Sequence, residues 1–557
     1  MTTAEYISDY LIGLGITDVF GVPGGVILKL ISAFEDRKPE ITPHLNYHEQ
    51  MSGFAALGYA QTSGNLGVCY ATRGPGICNM ITCIAEAFQE SVPVLFITAH
   101  GRKGNTALRA EYNQELELSA AVSSFTKYSA EINSLDEVEE KLAAACTAAA
   151  NGRRGPVFLD FASSLFSLGE FTSHSEYLTS CTCPADEELK ILKDMLGEAE
   201  RPVILIGDGL RNRFPDGGLN DILEKIGLPV ISSRGSQDLA SGYKHYYGYI
   251  GSHGTRYGNF ILSKADLLIT VGNRLAFPFE SESFSPILKK KFFRVDIDEN
   301  EFIRKIDGSI TCLADAGSFL KAFSETPLPE ADFREWLETC QNIREALNEY
   351  DITMPVAELA DLLRKCADNE YVFVSDVGNN EFWFSRAYEY IRPAGSIVCS
   401  KNFGTLGSAL GRAIGACYAA HKKVLCIIGD QGFQYNLQEL QFIFSNELPI
   451  KIIIMDNQCS GMIYDHESKV LGGRYIHVFG ENGYSAPDFK KISLAYGVRC
   501  PEKESALSSA LKDERPLVYR ISYSKDVGLI PNIPRGKPCQ DMAPFIEPDL
   551  FEALNNA

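Results

Sequence analysis

VLCIIGDQGFQYNLQELQFIFSNELPIKIIIMDNQCSGMI, residues 424–463, is the stretch that decides the fold. Val424 to Ile428 is a short apolar run, which predicts a buried parallel strand. Gly429-Asp430-Gln431-Gly432 breaks it as a tight turn. Asn436 to Phe444 has helical spacing, with Leu437, Leu440, Phe442 and Phe444 apolar. Ile450 to Met455 reads as a second buried strand. Both strands end in oxygen-bearing side chains, Asp430 after the first, Asp456 and Asn457 after the second. Ligands of an open parallel sheet lie beyond the carboxyl ends of its strands. Oxygen ligands beside a helix start suit a hard cation held together with a phosphate.

The same alternation runs outward through the chain. Residues 1–165 begin with a helix over Glu5 to Leu14 and a strand at Asp18 to Phe20. Further strands are expected at His44 to Tyr47, Gly67 to Ala71 and Val92 to Thr98. Glycine turns such as Gly24-Gly25 and Gly74-Pro75-Gly76 separate them from helices. Residues 166–185 are Ser/Thr-rich and read as a linker. A second unit, 186–330, has strands at Val203 to Ile206, Val230 to Ser232, Leu267 to Val271 and Phe292 to Val295. A charged helical stretch, 330–352, leads into a third unit, 353–535. The tail, 536–557, is expected to lie over the surface. The fold class is therefore α/β, three doubly wound parallel-sheet domains. The first and third units share a pattern, TAEYISDYLIGLG before VFGVPGG and MPVAELADLLRKCAD before VFVSDVGNN.

The bulk numbers exclude several functions. A chain of 557 residues exceeds one core, and 45% hydrophobic with 22% charged residues is ordinary for a soluble protein. A net charge of -20 argues against nucleic acid and against an anionic membrane as partner. No apolar run approaches the length of a spanning helix. The N-terminus shows no signal-peptide pattern, so a cytoplasmic location is expected. The 15 cysteines include no C-x-x-C pair; Cys181-Thr182-Cys183 comes nearest, and free buried thiols are expected.

Several loops carry candidate chemistry. Asp376-Val377-Gly378-Asn379-Asn380 and Gly404-Thr405-Leu406-Gly407 follow strands of the third unit. With the Asp430 turn they would make three adjacent loops on one sheet edge. The middle unit supplies a control: Asp208 lies in a similar GDG turn, but the residue 27 positions on is Gly235, where Asp430 has Asn457. That turn is a plain one or a nucleotide-facing loop. Glu49 precedes a helix rich in Ala and Gly, MSGFAALGYAQ, which suits close approach to another surface. A buried carboxylate there could exchange a proton with a ring nitrogen. The nine histidines form no metal pattern.

Taken together, these pieces resemble the thiamine-diphosphate (ThDP) enzymes of the acetolactate synthase family along nearly the whole chain. The resembling segments are FGVPGG at 20–25, YHEQMSGFAALGYA at 47–60, ATRGPGICN at 71–79, DVGNNEFW at 376–383, FGTLGSALGRAIGA at 403–416 and the 424–463 stretch. The resemblance implies that Glu49 contacts N1′ of the aminopyrimidine. Gly404 and Leu406 would hold the ring's other edge, and Leu406 would wedge the cofactor into a bent shape. Asp430, Asn457 and the Cys459 carbonyl would ligate Mg²⁺. Gly378, Asn379, Asn380, Gly429, Gln431 and Gly432 would hold the diphosphate, and Gln114 would lie near the reacting centre. Glu49 and the Asp430 loop would come from different subunits, which implies a homodimer or homotetramer. The implied activity is a ThDP-dependent transferase, a carboligase. It would decarboxylate a 2-keto acid, pyruvate first, and pass the two-carbon unit to a second carbonyl compound.

The chain departs from the family pattern at the acceptor side. His466 stands where a Trp is usual, the Arg that would clamp a carboxylate is replaced near Pro278, in GNRLAFPFES, and Asn113 stands where a Phe precedes the Gln. Gln431 replaces a usual Gly and Asn380 a usual His. The segments 251–275 and 537–549 look closer to a branch linked to surface-polysaccharide synthesis, with a keto-sugar nucleotide as acceptor. In the middle unit Gly251 to Thr255, Gly272-Asn273-Arg274 and Asp296-Ile297-Asp298 resemble an FAD site, through a motif too plain to require FAD. Simple 2-keto acid decarboxylation, flavin-dependent pyruvate oxidation and a catalytically silent cofactor-binding subunit are the rival readings.

Overall fold

The central apolar runs, such as Leu267–Val271 and Ile450–Asp456, form strands because they are short, β-branched and closed by a turn, and they are buried along their whole length. The computed structural model describes residues 1–101, 113–171, 182–215, 217–276, 278–327, 332–367 and 371–557. Cys181 and half of the 166–185 stretch fall outside the described residues. Three parallel sheets result, flanked by helices.

The first sheet holds β1 (Asp18–Gly21), β2 (Thr42–Leu45), β3 (Gly67–Tyr70), β4 (Val94–His100), β5 (Tyr128–Ile132) and β6 (Val157–Ala162), in the order β2-β1-β3-β4-β6-β5. The second holds β7 (Pro202–Ile206), β8 (Val230–Ser233), β9 (Tyr246–Ile250), β10 (Leu267–Val271), β11 (Lys291–Asp296) and β12 (Ile310–Leu313), in the order β12-β11-β10-β7-β8-β9. The third holds β13 (Tyr371–Ser375), β14 (Ile397–Cys399), β15 (Lys423–Gly429), β16 (Ile450–Asp456) and β17 (Leu517–Ser522), in the order β14-β13-β15-β16-β17. The first and third sheets thus open with the same winding, second strand beside first, then third and fourth. The middle sheet winds differently, reversing direction between β10 and β7.

By internal contacts the chain forms two compact units. One comprises Met1–Ser180, Glu370–Glu381 and Val398–Lys525; the other comprises Cys181–Asn369, Phe382–Ile397 and Asp526–Ala557. In the first unit the helix Glu49–Ser63 lies against the helix Ala409–Ala420. Glycines permit the approach: a Cβ on Gly415 would lie 1.8 Å from the Ala55 carbonyl oxygen, and one on Gly58 would lie 2.3 Å from that of Arg412. Gly411 faces Met51 and Phe54, and Gly415 faces Ala55 and Tyr59, so the two helices run in the same direction. Arg412 is buried between them, ion-paired with Glu86 and 2.7 Å from Gln61 Oε1. This explains why MSGFAALGYAQ is small-residue-rich: the helix is covered all round.

In the second unit the tail runs over the surface, with Phe545 and most of its residues exposed, and is pinned there by a few buried side chains. Cys539, Met542, Ile546 and Leu554 are buried in the unit's core, and Pro548–Asn556 is a helix. Arg256 anchors the tail. Its guanidinium pairs with both oxygens of Asp351 (2.6 and 2.7 Å) and donates to the carbonyls of Met542 (2.8 Å) and Pro544 (2.6 Å). A buried arginine with four acceptors is satisfied rather than stranded. The fourteen described cysteines are all free thiols; all but the exposed Cys183 are buried or partly buried, beside apolar neighbours such as Met80 and Phe54. No described helix is long and apolar enough to cross a membrane.

Candidate active site

The third sheet brings four loops to one edge. Ile428 pairs with Ile454 and Gly429 with Met455, so β15 and β16 end side by side. Asp430 leaves the first of them, and Asp456 with Asn457 the second. Asp430 does not sit in an open turn: it starts a short helix, Asp430–Gln434, with Gly429 as the capping residue. The longer helix follows at Glu439–Ser445, later than its apolar spacing suggested.

Asp430 Oδ2 and Asn457 Oδ1 both accept the Cys459 N–H, at 3.3 and 3.1 Å. Two oxygens therefore converge within reach of one nitrogen, with the Cys459 backbone beside them. Asp430 is 2% exposed. Burial, and then the charge of Asp456, push its carboxyl up to about 7. Asp456 is otherwise engaged: its Oδ1 accepts Gln458 N–H (3.1 Å) and Nε2–H (2.7 Å), and its Oδ2 faces Arg520 at 3.4 Å. A buried carboxylate beside another buried carboxylate is relieved by a cation. Hard oxygen donors select Mg²⁺ or a similar ion over a soft metal.

The neighbouring loops close on this point. A Cβ on Gly432 would lie 2.2 Å from Asp376 Oδ2, and one on Gly429 would lie 3.3 Å from Asn380 Oδ1. Gly407, at φ +82°, approaches Tyr435 and the Gly432 carbonyl. Asp376 is fully buried and accepts Gly407 N–H (2.9 Å) and Ala409 N–H (3.2 Å). Burial pushes its carboxyl up to about 7, and the two N–H bonds oppose that rise. Asn379 donates to Asp465 (3.0 Å) and Asn380 to the Asp376 carbonyl (2.8 Å). Both side-chain amides are thus tied to the protein, and the helix Asn379–Ile391 starts at this loop, with its first N–H groups beyond the helix's own bonding pattern. Asn379 Oδ1 and Thr405 Oγ1 are buried without a hydrogen-bond partner, one on each of two of these loops.

Glu49 and Gln114 belong to the first sheet. Glu49 opens its helix, His48 caps it, and Asn79 Nδ2 donates to Glu49 Oε2 at 2.9 Å. A Cβ on Gly76 would lie 3.3 Å from Glu49 Oε1, so glycine keeps that carboxylate accessible. Gln114 is exposed and held at φ +63°. Its carbonyl approaches Gly74, where a Cβ would lie 2.5 Å away. The next residue fixes it: buried Glu115 accepts Arg73 Nη1–H (2.6 Å) and Gly101 N–H (2.7 Å). Sequence reasoning missed Asn79, Arg73, Glu115 and the carboxylate role of Asp376. Their only signal was position, each within or next to a motif already singled out. His466 is exposed on the helix Gly461–Val470, and Asn113 is exposed beside Gln114.

Comparison with known proteins agrees with this geometry. Residues 1–121 match the thiamine pyrophosphate enzyme N-terminal TPP binding domain, 189–323 its central domain and 376–520 its C-terminal TPP binding domain. The acetolactate synthase isozyme 2 large subunit of Escherichia coli (strain K12) is 29% identical, covering 97% of this chain and 99% of that protein. The isozyme 1 large subunit of the same organism is 29% identical over 96% of each chain. The acetolactate synthase large subunit of Lactococcus lactis is 28% identical over 98% of this chain and 96% of its own. The chain belongs to the thiamine pyrophosphate enzyme family and is an acetolactate synthase-like, ThDP-dependent enzyme.

Proposed function

We propose that the protein is a carboligase that decarboxylates a 2-keto acid, pyruvate first, and joins the two-carbon unit to a second carbonyl compound. The observation that carries the reading is the convergence of Asp430 and Asn457 on one amide at adjacent strand ends. These residues fit the implied groups. Asp430, Asn457 and the Cys459 carbonyl would hold Mg²⁺ through oxygen. Backbone N–H groups of Gly378, Asn379 and Asn380, with the turn Gly429, Gln431 and Gly432, would hold the diphosphate. The buried, unpartnered Thr405 Oγ1 lies between Gly404 and Leu406, which would hold the pyrimidine edge.

Bound ThDP supplies an electron sink for the pair left by the departing carboxylate and returns it in carbon–carbon bond formation. Glu49 would hold and release the proton at the pyrimidine N1′, its second oxygen steadied by Asn79. The Gly404 carbonyl would accept from the ring's amino group, and the Leu406 N–H would donate to its other nitrogen. Gln114 would orient the reacting carbonyl. Glu49 and Asp430 would be supplied by different copies of the chain, in a homodimer or homotetramer. The units 1–165, 186–330 and 353–535 would serve as pyrimidine-binding, central and diphosphate-binding domains.

The acceptor side favours a polar partner. His466, the stretch near Pro278, and Asn113 replace an apolar contact, a carboxylate clamp and a second apolar contact. A keto-sugar nucleotide suits that change better than a second 2-keto acid. FAD enters no step. The Gly207 and Gly209 N–H groups donate to the Val271 and Gly272 carbonyls, and Asn259 is bonded to both sides of Gly251. These loops are held by intrachain bonds, and the carboligase reading needs no flavin, whereas the oxidase reading would require one.

The test incubates the protein with ThDP, Mg²⁺ and pyruvate, with and without a keto-sugar nucleotide, and identifies products by mass. An adduct carrying two extra carbons is expected with the acceptor, and none with Asp430→Ala. Acetolactate alone would assign the activity of the named relatives; free acetaldehyde alone would assign simple decarboxylation. Unconsumed pyruvate under every condition would defeat the reading.

A further inference from the structure

Glu90 is the last residue of the helix Ile81–Glu90, and it is 8% exposed. That is a costly place for a carboxylate, since an anion there meets the negative end of the helix dipole and loses its water. The structure shows what compensates. Glu90 Oε1 accepts the backbone N–H groups of Lys401 (2.9 Å), Asn402 (2.6 Å) and Phe403 (2.9 Å). Its Oε2 accepts Asn402 Nδ2–H at 3.4 Å. Three successive amides turned on one anion make a nest, here filled by the chain's own side chain.

The nest adjoins the segment given the pyrimidine edge. Gly404 follows at φ +71°, with its N–H on Ser400 Oγ (2.8 Å). Gly407 and Ala409 then hang from Asp376. Gly404-Thr405-Leu406 is therefore a short span between two carboxylates, Glu90 before it and Asp376 behind it. Asp376 belongs to the third sheet and Glu90 to a helix of the first, both within one compact unit. Local sequence preference explains neither the acid at a helix end nor its burial. Anchoring of this span at both ends by hydrogen bonds accounts for both.

We propose that Glu90 is a positioning residue for the cofactor: by anchoring 401–403 it sets the spacing of the Gly404 carbonyl and the Leu406 N–H. This rests on the reading of Gly404 and Leu406 above. Without the anion the three amides lose their common acceptor, the loop relaxes, and the pyrimidine contacts go out of register. The chemistry at Glu49 and the metal donors would be untouched.

The experiment uses the full-length protein with Mg²⁺ present. Glu90→Gln keeps the shape and removes the charge; Glu90→Asp keeps the charge and withdraws it by one methylene. ThDP affinity is read by fluorescence titration, the bound cofactor by its near-ultraviolet circular dichroism, and folding by the melting temperature without ThDP. We expect ThDP affinity to fall ~10-fold or more in Glu90→Gln, the loss expected when charge-assisted hydrogen bonds go, with a smaller loss in Glu90→Asp. The dichroism of bound ThDP changes while the melting temperature stays near the wild-type value. Folded Glu90→Gln with wild-type affinity and dichroism overturns the proposal, as does an affinity loss that only tracks a fall in melting temperature. A wild-type protein that binds no ThDP overturns the functional reading together with it.

Discussion

At the residue scale the site separates acids by environment. Asp430 and Asp376 are both buried and both pushed up to about 7, yet their partners differ. Asp376 faces two loop amides and holds backbone in place; Asp430 shares an amide with Asn457 and lies beside a second carboxylate, Asp456. Their partners divide them: Asp376 is bonded to loop backbone, while Asp430 lies where the proposed cation would sit. Glu49 differs again, being half-buried, with one oxygen bonded to Asn79 and the other beside Gly76. Glu49→Gln keeps that packing and removes the exchangeable proton. Turnover should fall ~10²- to 10⁴-fold, the usual worth of a positioned acid or base, with ThDP still bound in a titration. Full turnover in that variant would exclude Glu49 from the chemistry.

At the element scale, helices carry the site residues by their ends. Glu439 opens the helix Glu439–Ser445 and is fully buried. It accepts Asn46 Nδ2–H (3.0 Å) and Tyr47 N–H (2.9 Å), and so ties the segment just before Glu49. Burial pushes its carboxyl from 4.5 up to about 7, against those hydrogen bonds. The folded state thus favours the protonated form. The stability this contributes is complete below pH 4.5 and is lost as pH rises through about 7. Glu439→Gln removes that titration. Between pH 4 and pH 8, denaturant unfolding should show the wild type losing stability relative to Glu439→Gln, by on the order of 3 kcal/mol at most. A stability difference independent of pH would refute the assignment.

For the whole molecule, the second unit takes a few side chains of the C-terminal tail into its core. The family models end at residue 520, so nothing in them accounts for it. Ending the chain after Arg535 removes Cys539, Met542, Ile546 and Leu554 from the core and two of the four acceptors of Arg256. Loss of those four side chains should cost ~5 kcal/mol or more, and the remaining Arg256–Asp351 pair would lie less sheltered. Limited proteolysis should cut the second unit of the truncated chain before the first. Equal resistance of both units would show the tail to be dispensable.

The 424–463 stretch determined the winding of the third sheet, because a β-strand buried on both faces must be apolar and must stop where a polar ligand residue begins. The same logic located Glu49, Asp430 and Asn457, whose side chains end strands or open helices. It did not reach β5, β6, β9, β12 and β17. Tyr128–Ile132 is mixed in polarity, Asp160 interrupts Val157–Ala162, and Gly248 interrupts Tyr246–Ile250. Nor did it reach how the tail is fixed, since Arg256 and Asp351, which hold it against the unit, lie far away in the chain. Glu90, Asp376 and Glu439 were illegible for a common reason. Each is an ordinary acid in the sequence, and each acquires its role from backbone amides that lie 31 to 392 positions away and meet it only after the sheets have packed. Chain-local chemistry chose the residues proposed to touch ligand; tertiary packing alone chose the buried carboxylates that bond the backbone around them.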